Sequence, residues 1–139
     1  MAIYTSGIIC RDAIVEENTG ILSAVRIVDH VVVDIPQPIP SGSVIAYPVP
    51  FFVIIVFKSD APEEFEMVFS AIRPDGERKD EAPVPIRTGG GPHGHNVRIR
   101  IDMDPRLVGT WWFEVNVRGE VALRLPFSVI PPDQKSATR

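Results

Sequence analysis

Residues 109–132, GTWWFEVNVRGEVALRLPFSVIPP, alternate apolar and polar side chains with a period of two, and no other stretch constrains the fold as tightly. Trp111, Phe113, Val115 and Val117 fall at every second position, with Trp112, Glu114, Asn116 and Arg118 between them. A strand sends successive side chains to opposite faces, so this is the pattern of a strand with one face buried. Val121, Leu123, Leu125, Phe127 and Val129 repeat it. The two runs flank Gly119 and read as an antiparallel hairpin. Both buried sets are odd-numbered, so paired positions sum to an even number and the loop holds an odd count of residues. A three-residue loop, Val117-Arg118-Gly119, satisfies this and puts glycine at the left-handed position. It pairs Val115 with Val121 and Phe113 with Leu123. Pro126 has no N–H to donate, so its strand is expected to face an edge or carry a bulge there.

The rest of the chain is consistent with an all-β domain. Fourteen prolines spread along 139 residues disfavour long helices. Hydrophobic residues make up 45%, which is not the composition of a disordered chain. The length suits one domain, expected over residues 1–130, followed by a polar, frayed tail at residues 131–139. A net charge of -4 argues against non-specific nucleic-acid binding, which needs a positive surface. Cys10 is the single cysteine, so neither an intrachain disulfide nor a cysteine-rich metal site is expected. The N-terminal MAIYTSGIIC carries no basic residue before its apolar positions, so no signal peptide is expected. The longest apolar stretch, residues 44–57, is too short to span a bilayer and contains Pro48 and Pro50. The expectation is a cytoplasmic protein without membrane contact.

In order, residues 3–15 read as a first strand, with Gly7 a candidate bulge. Glu16-Glu17-Asn18-Thr19-Gly20 is a turn cluster. Residues 21–34 are rich in Val and Ile but drift in phase, which reads as a bend near Asp29 or two successive short strands. IPQPIP, residues 35–40, is an extended connector, and Ser41-Gly42-Ser43 a turn. Residues 49–57 are apolar on both faces, as in a central strand that is covered twice or meets a partner. Phe65, Met67, Phe69 and Ala71 alternate with polar neighbours, and Arg73-Pro74-Asp75-Gly76 is a type I turn signal. Pro83 and Pro85 make the return segment, residues 77–87, a short or edge strand. TGGGPHGH, residues 88–95, reads as a flexible loop. Val97, Ile99, Ile101 and Met103 alternate cleanly, and Asp104-Pro105 opens a turn.

About seven to nine short strands without a helical stretch argue for an antiparallel immunoglobulin-like β-sandwich, with a small β-barrel as the alternative. Ile99, Ile101, Trp111, Phe113, Val115, Leu123, Leu125 and Phe127 are expected in one core. The Cys…Trp…Cys pattern of immunoglobulin domains is absent, so only the architecture is expected.

Two sets of residues carry a family resemblance that spans most of the chain. Cys10-x-Asp12, Asn18-x-Gly20-x-Leu22-Ser23 and Ile27-x-Asp29 resemble the opening of a family of small bacterial β-sandwich proteins, a domain of unknown function. Gly109-x-Trp111-x-Phe113-x-Val115, Gly119 and Leu125-Pro126-Phe127-x-Val129 resemble its last hairpin. The resemblance implies the sandwich and a bacterial source, and brings no activity with it.

Few residues suggest chemistry. His93-x-His95 has the spacing of a metal pair, since positions two apart on a strand share a face. A cupin-like site adds a Glu three or four residues further on, where this chain has Arg98 and Ile99. The preferred reading is a glycine-rich solvent loop that carries two histidines, with no metal and no cofactor. No G-x-S-x-G is present, and Cys10, beside Ile8 and Ile9, reads as a buried structural thiol. His30, between Asp29 and Asp34, reads as half-buried and satisfied. Glu16-Glu17 and Glu63-Glu64 read as solvated turn carboxylates, and no catalytic residue is assigned. Arg98 and Arg100 share an outer strand face, with Arg124 expected near them. Asp102 and Asp104 continue that face, so mixed surface charge is preferred to an anion-binding stripe.

The contact candidates are aromatic and aliphatic. Trp112 falls on the face of Glu114 and Asn116, opposite Trp111, and an exposed aromatic there favours a contact site. Phe52 and Ile54 share one face of the doubly apolar strand and are the other candidates. The expected function is a non-enzymatic interaction module that meets a protein partner or a second copy, a homodimer being favoured. A small metal-dependent enzyme using His93 and His95 is the rival, and metal analysis separates the two. A structural subunit of a larger assembly is a third reading.

Overall fold

The structure is a computed structural model that describes residues 3–18, 22–28, 30–32, 49–103 and 107–130. Their alternating patterns form ten strands. They are β1 (Ile3–Val15), β2 (Leu22–Ile27), β3 (His30–Val32), β4 (Val49–Ser59) and β5 (Glu63–Ile72). Then come β6 (Arg78–Asp80), β7 (Val84–Thr88), β8 (His95–Met103), β9 (Gly109–Val117) and β10 (Glu120–Ile130). The fold is all-β, a sandwich of two sheets. One sheet has the order β2-β1-β4-β8. The other runs β3-β10-β9-β5, with β6 and β7 both paired along the far side of β5. Pairing β4 with β8 in one sheet, and β9 with both β5 and β10 in the other, is the immunoglobulin arrangement. All pairings are antiparallel except that of β3 with β10.

The core lies between the sheets, where each strand sends its alternate apolar residues. Phe51, Val53, Ile55 and Phe57 of β4 are fully buried against Met67 and Phe69 of β5 and Phe113 and Val115 of β9. Phe51 sits 4.6 Å from Phe127 and 5.8 Å from Phe113, ring centre to ring centre, and Phe69 stacks on Phe113 at 5.8 Å. Trp111 is buried as well, with its indole N–H donating to the Leu107 carbonyl at 3.1 Å. Of the core set read from sequence, Leu123, Leu125, Ile99 and Ile101 are half-buried at the margin of this cluster.

The last hairpin departs from the expected register. Val117 pairs with Glu120, so the loop is the two residues Arg118 and Gly119, both at positive φ (52° and 79°). That is the backbone of a type I′ turn, whose twist suits the flanking strands. The odd residue that parity demands is instead a bulge between Val121 and Leu123. Leu123 therefore pairs with Val115 and Leu125 with Phe113, while Val121 turns outward and is exposed. The bulge also lies on the strand that holds Pro126.

Other boundaries follow local chemistry. β1 spans the expected residues, but Gly7 sits in regular register opposite Ile55 rather than in a bulge. Its missing side chain is needed because a Cβ there would meet Leu123 Cδ2 at 2.6 Å and the Ile54 carbonyl at 3.2 Å. Residues 22–32 form two short strands, with Arg26 in the left-handed region (φ 59°). The Arg73–Gly76 turn closes through Gly76 N–H to the Arg73 carbonyl at 2.9 Å, and Asp75 accepts from Glu77 N–H at 3.0 Å. The return past it splits around Pro83 into β6 and β7. The connector at residues 35–40, the turns at residues 41–43 and 104–105, and the tail at residues 131–139 lie outside the described residues. No helix of the described residues is long and apolar enough to cross a membrane.

Candidate functional site

The outer face of the four-stranded sheet is built from the even-numbered residues of β1, β4 and β8. Register sets them in rows: Ile27–Cys10–Phe52–Arg100, then Ile8–Ile54–Arg98, then Ser6–Val56–Asn96, then Tyr4–Lys58. Phe52 is half-buried, with the Arg98 guanidinium 5.8 Å over its ring, and Arg98 also donates to the Ala13 carbonyl at 3.2 Å. Ile54 is only 4% exposed, so it offers a partner little surface. Cys10 is fully buried in this face.

Apolar exposure concentrates beside these residues. Seven large apolar side chains of the described residues are exposed, and Tyr4, Ile8, Ile14, Val15 and Ile27 of β1 and β2 are five of them. Tyr4, Ile8, Ile14 and Ile27 all belong to the outer face. Ile14 is 54% and Ile27 66% exposed. Beyond Cys10, β1 is paired with β2 alone among the described residues, so this ribbon lacks a second neighbour. Tyr4 donates from its hydroxyl to Asp60 at 3.2 Å, and that bond raises its phenol pKa above the ordinary value.

Trp112 lies on the opposite side of the molecule, on the outer face of the six-stranded sheet. It is half-buried in a row between Ile72 and Pro126. The Arg124 guanidinium covers its ring at 4.4 Å. Beside it Glu114, 6% exposed, is held between two arginines, accepting from Arg78 and from Arg124 at 3.0 Å each. Arg78 donates as well to Asp80, which Ser70 also reaches. Its guanidinium is raised above its ordinary value chiefly by the bond to Asp80. The ring face that a partner would stack on is thus occupied from within the chain.

Arg124 is not near Arg98 and Arg100, because β10 and β8 belong to different sheets. Arg100 pairs with Asp102 at 3.2 Å. Glu63 is not a free turn carboxylate: its side chain is 12% exposed and accepts from Arg118 at 3.0 Å. Glu64 pairs with Arg87, and Glu16 and Glu17 are exposed. His30 is exposed on β3 rather than half-buried.

The glycine-rich segment is a closed turn rather than a loose loop. Gly89 N–H donates to the His93 carbonyl at 2.8 Å, His93 N–H to Gly90 at 3.1 Å, and Gly91 N–H to Ser59 at 3.0 Å. Gly90 and Gly91 sit at positive φ, which explains two of the glycines. Gly94 is excluded from bearing a side chain, since a Cβ would lie 2.5 Å from the Phe57 carbonyl oxygen. His93 is exposed on the turn, while His95 opens β8 and its Nδ1 accepts from the Arg87 N–H at 3.3 Å. Among the described residues, no group of three or more His, Cys, Asp or Glu side chains could hold a metal ion.

No protein-family model matches the chain, and no curated protein matches it. Solved structures similar to part of it include two proteins. One is an alkylpurine DNA glycosylase from Pseudomonas fluorescens bound to DNA containing an abasic site analog. Identity is 16%, with 63% of this chain and 27% of that chain covered and a TM-score of 0.49. The other is a GH3 β-glucosidase from Bifidobacterium adolescentis, at 12% identity, with 60% and 15% covered and a TM-score of 0.38. The chain spans well under two thirds of either protein. At these values the likenesses carry no argument about activity or partners, and the fold rests on its own sheet topology.

Proposed function

We propose that the chain is a non-enzymatic interaction module whose contact surface is the apolar outer face of β1 and β2, continued by Phe52. The observation that carries the reading is the clustering of Tyr4, Ile8, Ile14 and Ile27 on one face. Exposed aliphatics scattered singly over a surface need no explanation, whereas four on one sheet face favour a contact there. The partner is a protein with an apolar surface, or a second copy of the chain. Nucleic acid is disfavoured by the net charge of -4 and by the pairing of Arg78, Arg100 and Arg124 with carboxylates. A cytoplasmic setting suits a chain whose single cysteine is buried and has no second cysteine in the chain to form a disulfide with. The sandwich is also compatible with the bacterial family resemblance drawn from the N- and C-terminal motifs.

The test is affinity capture from the native host with the wild type and an Ile14→Asp/Ile27→Asp variant. Both residues are more than half exposed, so the variant is expected to fold. The expected result is one stoichiometric protein held by the wild type and lost by the variant. Equal capture by both would place the contact elsewhere.

A further inference from the structure

We propose that the chain pairs with a second copy of itself along the free edge of β1, residues 3–9. This rests on the interaction reading above and names its partner. Among the described residues, β2 pairs with β1 only from Cys10 to Val15. On that side residues 3–9 present alternate backbone N–H and C=O groups that no strand of the described residues pairs with, apart from the Ile9 carbonyl, which accepts from Val28 at 2.9 Å. Another strand is what satisfies such a row of groups.

Proteins guard open edges with charge, proline, bulges or shortness. The other edges among the described strands are guarded in those ways, β3 by being three residues long. β8 carries Arg98, Arg100 and Asp102. β10 carries a bulge and Pro126. β6 and β7 are short, with Pro83 between them and Pro85 within β7. β2 is short and has Arg26 in the left-handed region. β1 is the exception. Its open stretch reads IYTSGII, with no charge and no proline, and keeps unbroken register with β4. Beneath it, a depression of ≈ 290 Å³ between β1 and β10 is lined in part by Ile3, Thr5, Val121 and Ala122. The Thr5 hydroxyl is buried there without a hydrogen-bond partner. A strand added to β1 would roof this depression.

The edge is self-complementary. A two-fold axis at Ser6 sets Tyr4 beside Ile8 of the partner subunit, twice over, and Thr5 beside Gly7 of the partner subunit. Aromatic and β-branched neighbours are favourable cross-strand pairs, and glycine leaves room for threonine. The result is one continuous sheet across two copies.

Crosslinking at the axis tests this directly. Facing residues of an antiparallel pair have Cα atoms about 4.5–5.5 Å apart, within the span a disulfide bridges. Ser6 is exposed, and the native Cys10 is fully buried and does not compete. The wild type is expected to run at twice 15.4 kDa by light scattering at micromolar concentration. Ser6→Cys is expected to form a covalent dimer under mild oxidation, while Asn96→Cys on β8 does not. Ser6→Lys sets two ammonium groups side by side and is expected to weaken the dimer by about fivefold or more. A monomeric wild type overturns the proposal, and so does a dimer that neither crosslinks through Ser6→Cys nor responds to Ser6→Lys. A monomer that still holds a partner through Ile14 and Ile27 overturns the edge pairing and leaves the interaction reading standing.

Discussion

The Arg124 guanidinium lies 4.4 Å from the centre of the Trp112 ring and donates to Glu114 at 3.0 Å. One side chain thus caps an aromatic face and neutralises a buried carboxylate. Arg124→Ala is expected to bare the Trp112 ring, shift tryptophan emission to longer wavelength and cost about 1–2 kcal/mol, discounted because Arg124 itself is half exposed. Fluorescence and urea melts check it. Unchanged emission would mean that the ring is not capped in solution.

Phe113 stands between Phe51 and Phe69 at the middle of the core. Phe113→Ala removes ring contacts to both sheets and leaves a cavity. The expected loss is about 3–5 kcal/mol, enough to unfold much of a domain this small. A circular dichroism melt close to that of the wild type would contradict the packing.

Gly94 passes so close to Phe57 that a Cβ would lie 2.5 Å from a backbone oxygen, which cannot rotate away. Gly94→Ala is expected to destabilise by about 1–3 kcal/mol. Gly91→Ala, at φ 56° with open space around it, is expected to cost less. Thermal melts of the pair give the order, and the reverse order would argue against the closed turn.

Asp80 accepts from Ser70 at 2.6 Å and from Arg78 at 2.9 Å, and these bonds hold its carboxyl below the ordinary 3.8. A carboxyl with a depressed folded-state pKa stabilises the fold above its unfolded value, and that contribution is lost as pH falls through the folded value. Between about pH 5 and about pH 2.5 the wild type should therefore lose more stability than Asp80→Asn. Equal losses in urea melts would show that the bonds do not form in solution.

Much of the sandwich was legible because alternation is a local signal. Trp111, Phe113 and Phe127 announce their face through their neighbours, and the doubly apolar β4 announces a central position. The bulge near Ala122 was not legible: its neighbours continue the alternation, and parity fixes only that one odd residue exists. Arg26 in a left-handed conformation gives no signal either, since glycine is the residue that normally marks one. The exposed apolar face of β1 and β2 was legible only in part. Alternation says which side chains share a face, and it does not say whether another layer covers that face. Ile8, Ile14 and Ile27 therefore gave no sign of their exposure, while Ile54, a contact candidate from sequence, is buried. Arg124 was grouped with Arg98 and Arg100 because sheet membership depends on long-range pairing that no local pattern encodes.

Amide hydrogen exchange, compared segment by segment between the isolated chain and the assembly it forms or captures, is the measurement closest to the central claim. Protection is expected to rise in β1 and β2, over residues 3–15 and 22–27, and to stay unchanged in β9 around Trp112. Protection gained around Trp112 with none on β1 and β2 would contradict it, as would a chain whose exchange no partner and no second copy alters.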